Sequence, residues 1–323
     1  MDHRPRILVT RRWPGAVEQR LAERFDVVPN IDDRPMSQAD LAAAMGEFDA
    51  LCPTVSDRVD AAVIGGGGRV RLIASYGVGF DHIDIAAARA AGIAVTNTPG
   101  VLTDATADIA MLLVLMAARR AGEGERELRG GRWTGWRPTH MLGASLRGRT
   151  LGLVGFGRIA QATAKRAHFG FGMRIAYYSR NPAAPEVEAR LGARHCETLA
   201  ALLEGADVVS LHVPGGAETR HLIDRAALAR MKPGAYLINT ARGEIVDSDA
   251  LAEALAAGRI AGAGLDVYPR EPNVPEALLA LENVVLLPHL GSATTETREA
   301  MGLRVLANLE AWRDGAALPN RVA

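Results

Sequence analysis

Cysteine is scarce in this chain. Of 323 residues only Cys52 and Cys196 are cysteines, far apart and without metal-like or redox spacing around them. That excludes a disulfide scaffold and a cysteine-based metal site, and free thiols in a reducing cytoplasm are the simple expectation. Lysine is scarcer still in proportion: Lys165 and Lys232 are the only lysines among 37 basic residues, a bias of composition rather than of chemistry. Neither charge sign is in excess, 37 basic against 37 acidic side chains for a formal net charge of zero. Nucleic acid and an anionic membrane are therefore not expected as partners. No apolar run is long. The longest, Ile109 to Ala118, cannot span a bilayer, and MDHRPRILVT carries no apolar signal core. A cytoplasmic protein without membrane, metal or nucleic-acid partners is the expectation.

What the chain does contain is a glycine turn in a telling context. Leu151 to Val154 reads as a buried parallel strand, and Gly155-Phe156-Gly157-Arg158-Ile159-Ala160 follows it. Gly155 permits the tight turn, Gly157 lets a pyrophosphate approach the backbone, and Ala160 lets the next helix pack close to the strand. That helix, about Arg158 to Phe169, would offer its N-terminal N–H groups to phosphates. A second strand, Arg174 to Tyr178, completes a βαβ unit that binds a dinucleotide. An NAD site usually places an acid at the end of that second strand. Here Ser179, Arg180 and Asn181 stand there, and the next acid is Glu186. Arg180 can pair with a 2′-phosphate, and Ser179 and Asn181 can donate to it. NADP(H) is the preferred cofactor on this reading, with NAD(H) possible.

The length suggests two domains. In the first hundred residues short apolar runs (Ile7 to Thr10, Val27-Val28, Ala50 to Cys52, Leu72 to Ser75, Ile93 to Thr96) alternate with helical patterns, among them one from Pro14 to Arg24 and one capped by Ser37. The Gly65 to Gly68 run reads as a loop. Asn97 to Gly100 reads as a hinge, after which Thr103 or Asp104 caps a long helix. Further strands are expected at Asp207 to Val213, Ala235 to Thr240, Ile260 to Val267 and Val284 to Leu287. A lone helix follows, from Thr294 to Trp312. The fold class expected is α/β, with two Rossmann-like, doubly wound parallel-sheet domains, the cofactor domain inserted into the substrate domain. The boundaries are 1–99 for the first part of the substrate domain, 100–290 for the cofactor domain and 291–323 for the returning helix.

Ligands of an open parallel sheet bind beyond the carboxyl ends of its strands. Arg242, Asp266, Glu271 and His289 all follow strands of the second domain. Hydride transfer to a 2-keto acid needs a cation for the carboxylate, which Arg242 supplies as a bidentate fork. It needs a proton for the carbonyl oxygen, which suits His289, and a carboxylate to orient that imidazole and favour its protonated form, which suits Glu271. Asp266 could face the nicotinamide carboxamide. His212 also follows a strand, so strand-end position alone does not single out His289.

The blocks SYGVGFDHID, NTPGVLTDATAD, LGLVGFGRIA, INTARGEIVD, GLDVYPREP and LLPHLGSAT resemble the signature blocks of the D-isomer-specific 2-hydroxyacid dehydrogenases, in that family's order. VTNTP, VLTDATAD and GGRWTGWRPTHMLG resemble the glyoxylate/hydroxypyruvate reductase branch most closely. The resemblance implies Arg242, Glu271 and His289 as the catalytic set, with the Val78 and Gly79 N–H groups on the substrate carboxylate. It implies Arg158, Ile159, Ser179, Arg180, Asn181, Thr240 and Asp266 along the cofactor. It also implies a homodimer in which Trp136 reaches the partner's substrate pocket, with Trp133 packing inside its own loop. The all-round apolar stretch from Ala107 to Ala118 points to the same interface. The activity implied is reduction of a small 2-keto acid such as glyoxylate or hydroxypyruvate. Two alternatives stay open: a phosphite dehydrogenase-like enzyme, disfavoured by the uncharged Val78, and a non-catalytic nucleotide-sensing corepressor.

Overall fold

In a computed structural model, residues 4–65 and 68–323 are described. Of the expected Gly65–Gly68 loop, residues 66 and 67 lie outside them, as does the start of the N-terminal segment. The chain divides into two compact units, Met1–Leu102 with Ser292–Ala323, and Thr103–Gly291, so the second is inserted into the sequence of the first.

The first unit holds β1 (Arg6–Val9), β2 (Asp26–Pro29), β3 (Ala50–Cys52), β4 (Leu72–Ala74) and β5 (Ala94–Thr96) in one parallel sheet of order β2-β1-β3-β4-β5. Successive side chains of a strand face opposite ways, and here both faces are apolar. Ile7, Val9, Leu72 and Ala74 pack on one side, and Leu8, Leu51, Ile73 and Val95 on the other. Ser37 caps the Gln38–Glu47 helix in a capping box with Asp40. The terminal helix, Thr295–Arg313, packs on β4 and on the Gly15–Arg24 helix. Its Gly302 meets Val17 so closely that a Cβ would come within 2.6 Å of it. Cys52 and Cys196 are both free and buried, and burial pushes the Cys52 thiol up to about 12.

The second unit is built on β6 (Thr150–Val154), β7 (Arg174–Tyr178), β8 (Ala193–His195), β9 (Val208–Leu211), β10 (Tyr236–Asn239), β11 (Gly262–Leu265) and β12 (Val284–Leu286). Its parallel order is β12-β11-β10-β9-β6-β7-β8. The order in which successive strands are added reverses between β6 and β9, and such a switch point opens a crevice at the carboxyl ends. The fold is α/β with two Rossmann-like parallel sheets.

Four details depart from the sequence reading. The first helix of the βαβ unit is α-helical only over Arg158–Lys165 and ends as a wider π-turn, Arg166–Gly170. The edge strand β8 went unexpected, and Ala121–Arg129 is a helix. The apolar stretch from Ala107 to Ala118 is not an open interface face. It belongs to the helix Thr103–Ala118, which lies on β10 and β11 and beside the Arg158–Lys165 helix. Ala107, Ala110, Leu113, Val114 and Ala118 are buried there, and of its large side chains Leu112 stays exposed. Two covered sides need more than one apolar stripe. Among the described residues no helix is long and apolar enough to cross a membrane.

Candidate active site

The end of β10 is shaped by Asn239, which is buried. Its side chain donates to the Arg242 carbonyl at 2.8 Å and accepts from the Ala241 N–H at 3.0 Å. That folds Thr240-Ala241-Arg242 into a turn whose guanidinium donates to the Ala241 carbonyl at 2.8 Å. Gly243 follows, and a Cβ there would fall 2.0 Å from the carbonyl carbon of Tyr268. Only glycine lets the Arg242 turn lie against the segment that follows β11.

That segment carries the acids. The Tyr268 N–H donates to Glu271 Oε1 at 3.0 Å, and Glu271 Oε2 lies 2.8 Å from His289 Nδ1. Both side chains are about one-third exposed, so the pair faces solvent without dissolving in it. Burial by itself would raise the Glu271 carboxyl. The hydrogen bond and charge of His289, the Tyr268 N–H and the Arg242 charge outweigh it and hold the carboxyl below its ordinary value. Glu271 is thus an anion that accepts from Nδ1, which leaves Nε2 as the nitrogen able to exchange a proton.

His289 sits in the left-handed region, with φ 56°, where non-glycine residues are uncommon. Asp266, at the end of β11 and almost fully buried, holds it there. Its backbone carbonyl accepts from the His289 N–H at 2.9 Å, and its two carboxylate oxygens accept from Leu290 N–H at 2.6 Å and Gly291 N–H at 2.8 Å. Burial pushes the Asp266 carboxyl above its ordinary value, while those N–H groups and His289 pull the other way. Asp266, read from the sequence as facing a carboxamide, therefore has both oxygens engaged in fixing the histidine turn. Spacing along the chain could not reveal this role.

The glycine turn leaves β6. Gly155 has φ 87°, and a Cβ on it would lie 2.7 Å from the His212 carbonyl oxygen. His212 follows β9, and its ring nitrogen Nε2 lies 2.9 Å from Ser210 Oγ. Desolvation lowers its pKa to about 4, so the imidazole is neutral. A Cβ at Gly157, by contrast, would meet nothing within 4 Å, so this glycine borders open space. The helix that starts at Arg158 has no side-chain cap, and its first backbone bond is Gln161 N–H to the Gly157 carbonyl at 2.9 Å. The N–H groups of Arg158, Ile159 and Ala160 therefore have no partner within the helix.

Residues 111–291 match the family described as D-isomer specific 2-hydroxyacid dehydrogenase, NAD binding domain. The chain is 47% identical to a glyoxylate reductase of Thermococcus litoralis, over 99% of this chain and 97% of that one. It belongs to the D-isomer specific 2-hydroxyacid dehydrogenases. Among solved structures it resembles a Thermus thermophilus protein (47% identity, 98% and 100% of the two chains, TM-score 0.89). It also resembles an NADPH-dependent glyoxylate/hydroxypyruvate reductase of Sinorhizobium meliloti in complex with NADP and malonate (41% identity, 99% and 97%, TM-score 0.88). As a member of this family the chain is an NAD(P)-dependent oxidoreductase, and it groups with the glyoxylate reductases.

The dehydrogenase's residues fit a dinucleotide. Open space over Gly157, the uncapped helix start and Thr240 Oγ1, buried without a partner, are what a bound nucleotide would complete. Ser179 Oγ donates to the Asn181 carbonyl at 2.5 Å, in the turn after β7. Arg180 extends into solvent there, with Nη1 3.7 Å from Glu218 Oε2 and both side chains 87% exposed. Glu218, from the segment after β9, is an acid near Arg180 that sequence distance concealed. Val78 and Gly79 belong to the first unit, in the turn after β4, where Asn97 Nδ2 donates to the Val78 carbonyl at 2.8 Å. Trp136 is 82% exposed on the segment after the Ala121–Arg129 helix. Trp133, expected to pack inside that loop, is 52% exposed as well. Among the described residues no group of three or more His, Cys, Asp or Glu side chains could hold a metal ion.

Proposed function

We propose that this dehydrogenase is an NADPH-preferring reductase of small 2-keto acids, glyoxylate and hydroxypyruvate first, working as a cytoplasmic homodimer with His289 as proton donor. The observation that carries the reading is the 2.8 Å pairing of His289 Nδ1 with a Glu271 held as an anion, on turns shared with Arg242. The nicotinamide, when bound, supplies the hydride. Glu271 fixes the imidazole by Nδ1, so Nε2 is the nitrogen that gives the proton to the carbonyl oxygen. Arg242 clamps the substrate carboxylate, and the N–H groups of Val78 and Gly79 complete its binding. Asp266 holds the His289 turn and retains only its second lone pairs for a carboxamide. Arg158, Ile159 and the glycine turn of Gly155 and Gly157 hold the pyrophosphate. Thr240 lines the nicotinamide side, and Ser179, Arg180 and Asn181 take the 2′-phosphate.

Preference for NADPH is supported by the cation at the strand end, and the acid beside it, Glu218, is consistent with residual use of NADH. The homodimer is supported by the exposed Leu128, Trp133, Trp136 and Leu142, all in or beside the loop after the Ala121–Arg129 helix. The test is a steady-state panel of glyoxylate, hydroxypyruvate, pyruvate and phosphite, each with both nicotinamide cofactors, alongside Arg180→Ala. The expected result is turnover of the first two with NADPH, and a KM for NADPH about tenfold to a hundredfold higher in Arg180→Ala with NADH little changed. Turnover of phosphite alone, or equal losses with both cofactors, would overturn the substrate or the cofactor part respectively.

A further inference from the structure

Tyr177 is fully buried near the end of β7 and touches both halves of the nucleotide site. Its ring stacks on Phe156, the residue between the two glycines, with centroids 3.9 Å apart and planes 14° from parallel. Phe156 is held in turn at its carbonyl, which accepts from Gln161 Nε2 at 3.0 Å. The Tyr177 hydroxyl accepts from the Ala183 N–H at 2.7 Å and donates to Glu188 Oε1 at 2.6 Å. Ala183 closes the turn that holds Ser179, Arg180 and Asn181, and Glu188 stands on the helix Pro185–Leu191 that follows it. That helix has no side-chain cap. Its entry is therefore fixed from below, by one phenol bonded to the turn and to the helix at once. The far side of the turn is held by His195, whose Nε2 lies 3.2 Å from the Ser179 carbonyl. Burial, and Glu188 beside it, raise the Tyr177 phenol above its ordinary value, so it remains a neutral donor.

We propose that Tyr177 is a positioning residue for cofactor choice: its hydroxyl ties the 179–183 turn to the helix behind it, so that Arg180 is presented where a 2′-phosphate lies, in register with the glycine turn on which its ring rests. The inference rests on the proposed pairing of Arg180 with the 2′-phosphate. Arg180 itself is exposed and loosely paired, so little besides its backbone sets its position. A turn that shifts moves the guanidinium away from one ligand group and leaves the pyrophosphate site intact, because the Tyr177–Phe156 stack does not need the hydroxyl. Ring and hydroxyl thus separate two functions, with the ring serving either cofactor and the hydroxyl serving NADPH.

The experiment compares Tyr177→Phe, Glu188→Ala, Glu188→Gln and Arg180→Ala, measuring kcat and KM for NADPH and for NADH with keto acid saturating. Tyr177→Phe keeps the stack and removes one hydrogen-bonded hydroxyl, so the KM for NADPH is expected to rise about fivefold or more. The KM for NADH and both kcat values are expected to stay within about twofold. Glu188→Ala is expected to move the same ratio in the same direction, and Glu188→Gln, which keeps an acceptor, to restore most of it. The Glu188 pair carries the test if Tyr177→Phe does not fold. If Arg180→Ala is selective for NADPH while Tyr177→Phe and Glu188→Ala raise both KM values equally or neither, the inference is overturned and the 2′-phosphate reading stands. If Arg180→Ala itself is not selective, that reading falls and takes this one with it.

Discussion

Two histidines follow strands of the same sheet and meet opposite surroundings. His212 follows β9, is half-buried with Ser210 for a neighbour, and is held neutral by desolvation, with a pKa of about 4. His289 follows β12, keeps about a third of its side chain in solvent and faces an ionised Glu271. By position each is a candidate for chemistry. What separates them is the partner, a serine hydroxyl for one ring and a carboxylate for the other, because an imidazole exchanges protons only where both of its charge states are tolerated. His212 instead supplies the carbonyl against which Gly155 turns, so it shapes the phosphate end of the site without titrating in the working range. The same end of the sheet therefore holds a carboxylate-paired imidazole and a neutral one that serves as a structural post, and environment rather than residue type decides which is which.

The comparison can be broken first at the rate. His289→Asn is expected to lose about a hundredfold to ten-thousandfold in kcat for keto-acid reduction. If His212→Asn lost as much while its cofactor KM and melting temperature stayed normal, the assignment of roles would be wrong. Glu271→Gln keeps the shape of the carboxylate and removes its charge, and a tenfold to hundredfold fall in kcat is expected with cofactor KM unchanged. An unchanged kcat would reduce Glu271 to a turn residue. His212 sharpens the contrast through stability. Its folded pKa lies below the ordinary 6.5, so the unfolded chain binds the extra proton first as pH falls. Its contribution is present above pH 6.5 and is lost progressively towards pH 4. Between pH 7 and pH 5 that loss is about 2 kcal/mol. Urea unfolding of the wild type and His212→Asn at both pH values checks it, the variant being expected to show a pH dependence smaller by that amount.

Legibility in the sequence followed locality. The glycine turn could be read because a strand, a tight turn and a helix start impose their demands on neighbouring residues: Gly155 needs its positive φ, and Ala160 its small side chain. The strand-end polar residues could be read for the same reason. β8 could not, since Ala193-Arg194-His195 is three residues long, lacks an apolar run and pairs only with β7 at the edge of the sheet. The stretch from Ala107 to Ala118 misled because a helix covered on two sides and a helix awaiting a partner show the same all-round apolarity. Asp266 is legible as a strand-end acid, but its grip on Leu290 and Gly291 spans a loop that no periodicity reports. Glu218 beside Arg180 and Glu188 beneath Tyr177 escaped for a similar reason, being contacts that only the folded turn creates.

The central claim is that His289 gives the proton in reduction and takes it in oxidation. It is tested most directly by the pH dependence of kcat in the two directions, measured on the same preparations of wild type and His289→Asn. The account expects the wild-type reduction rate to fall with rising pH, and the oxidation rate to rise across the same interval, because one direction needs the protonated imidazole and the other the neutral one. In His289→Asn both opposing limbs are expected to vanish along with most of the rate. Opposing limbs that persist in His289→Asn would place the proton on another group and contradict the account.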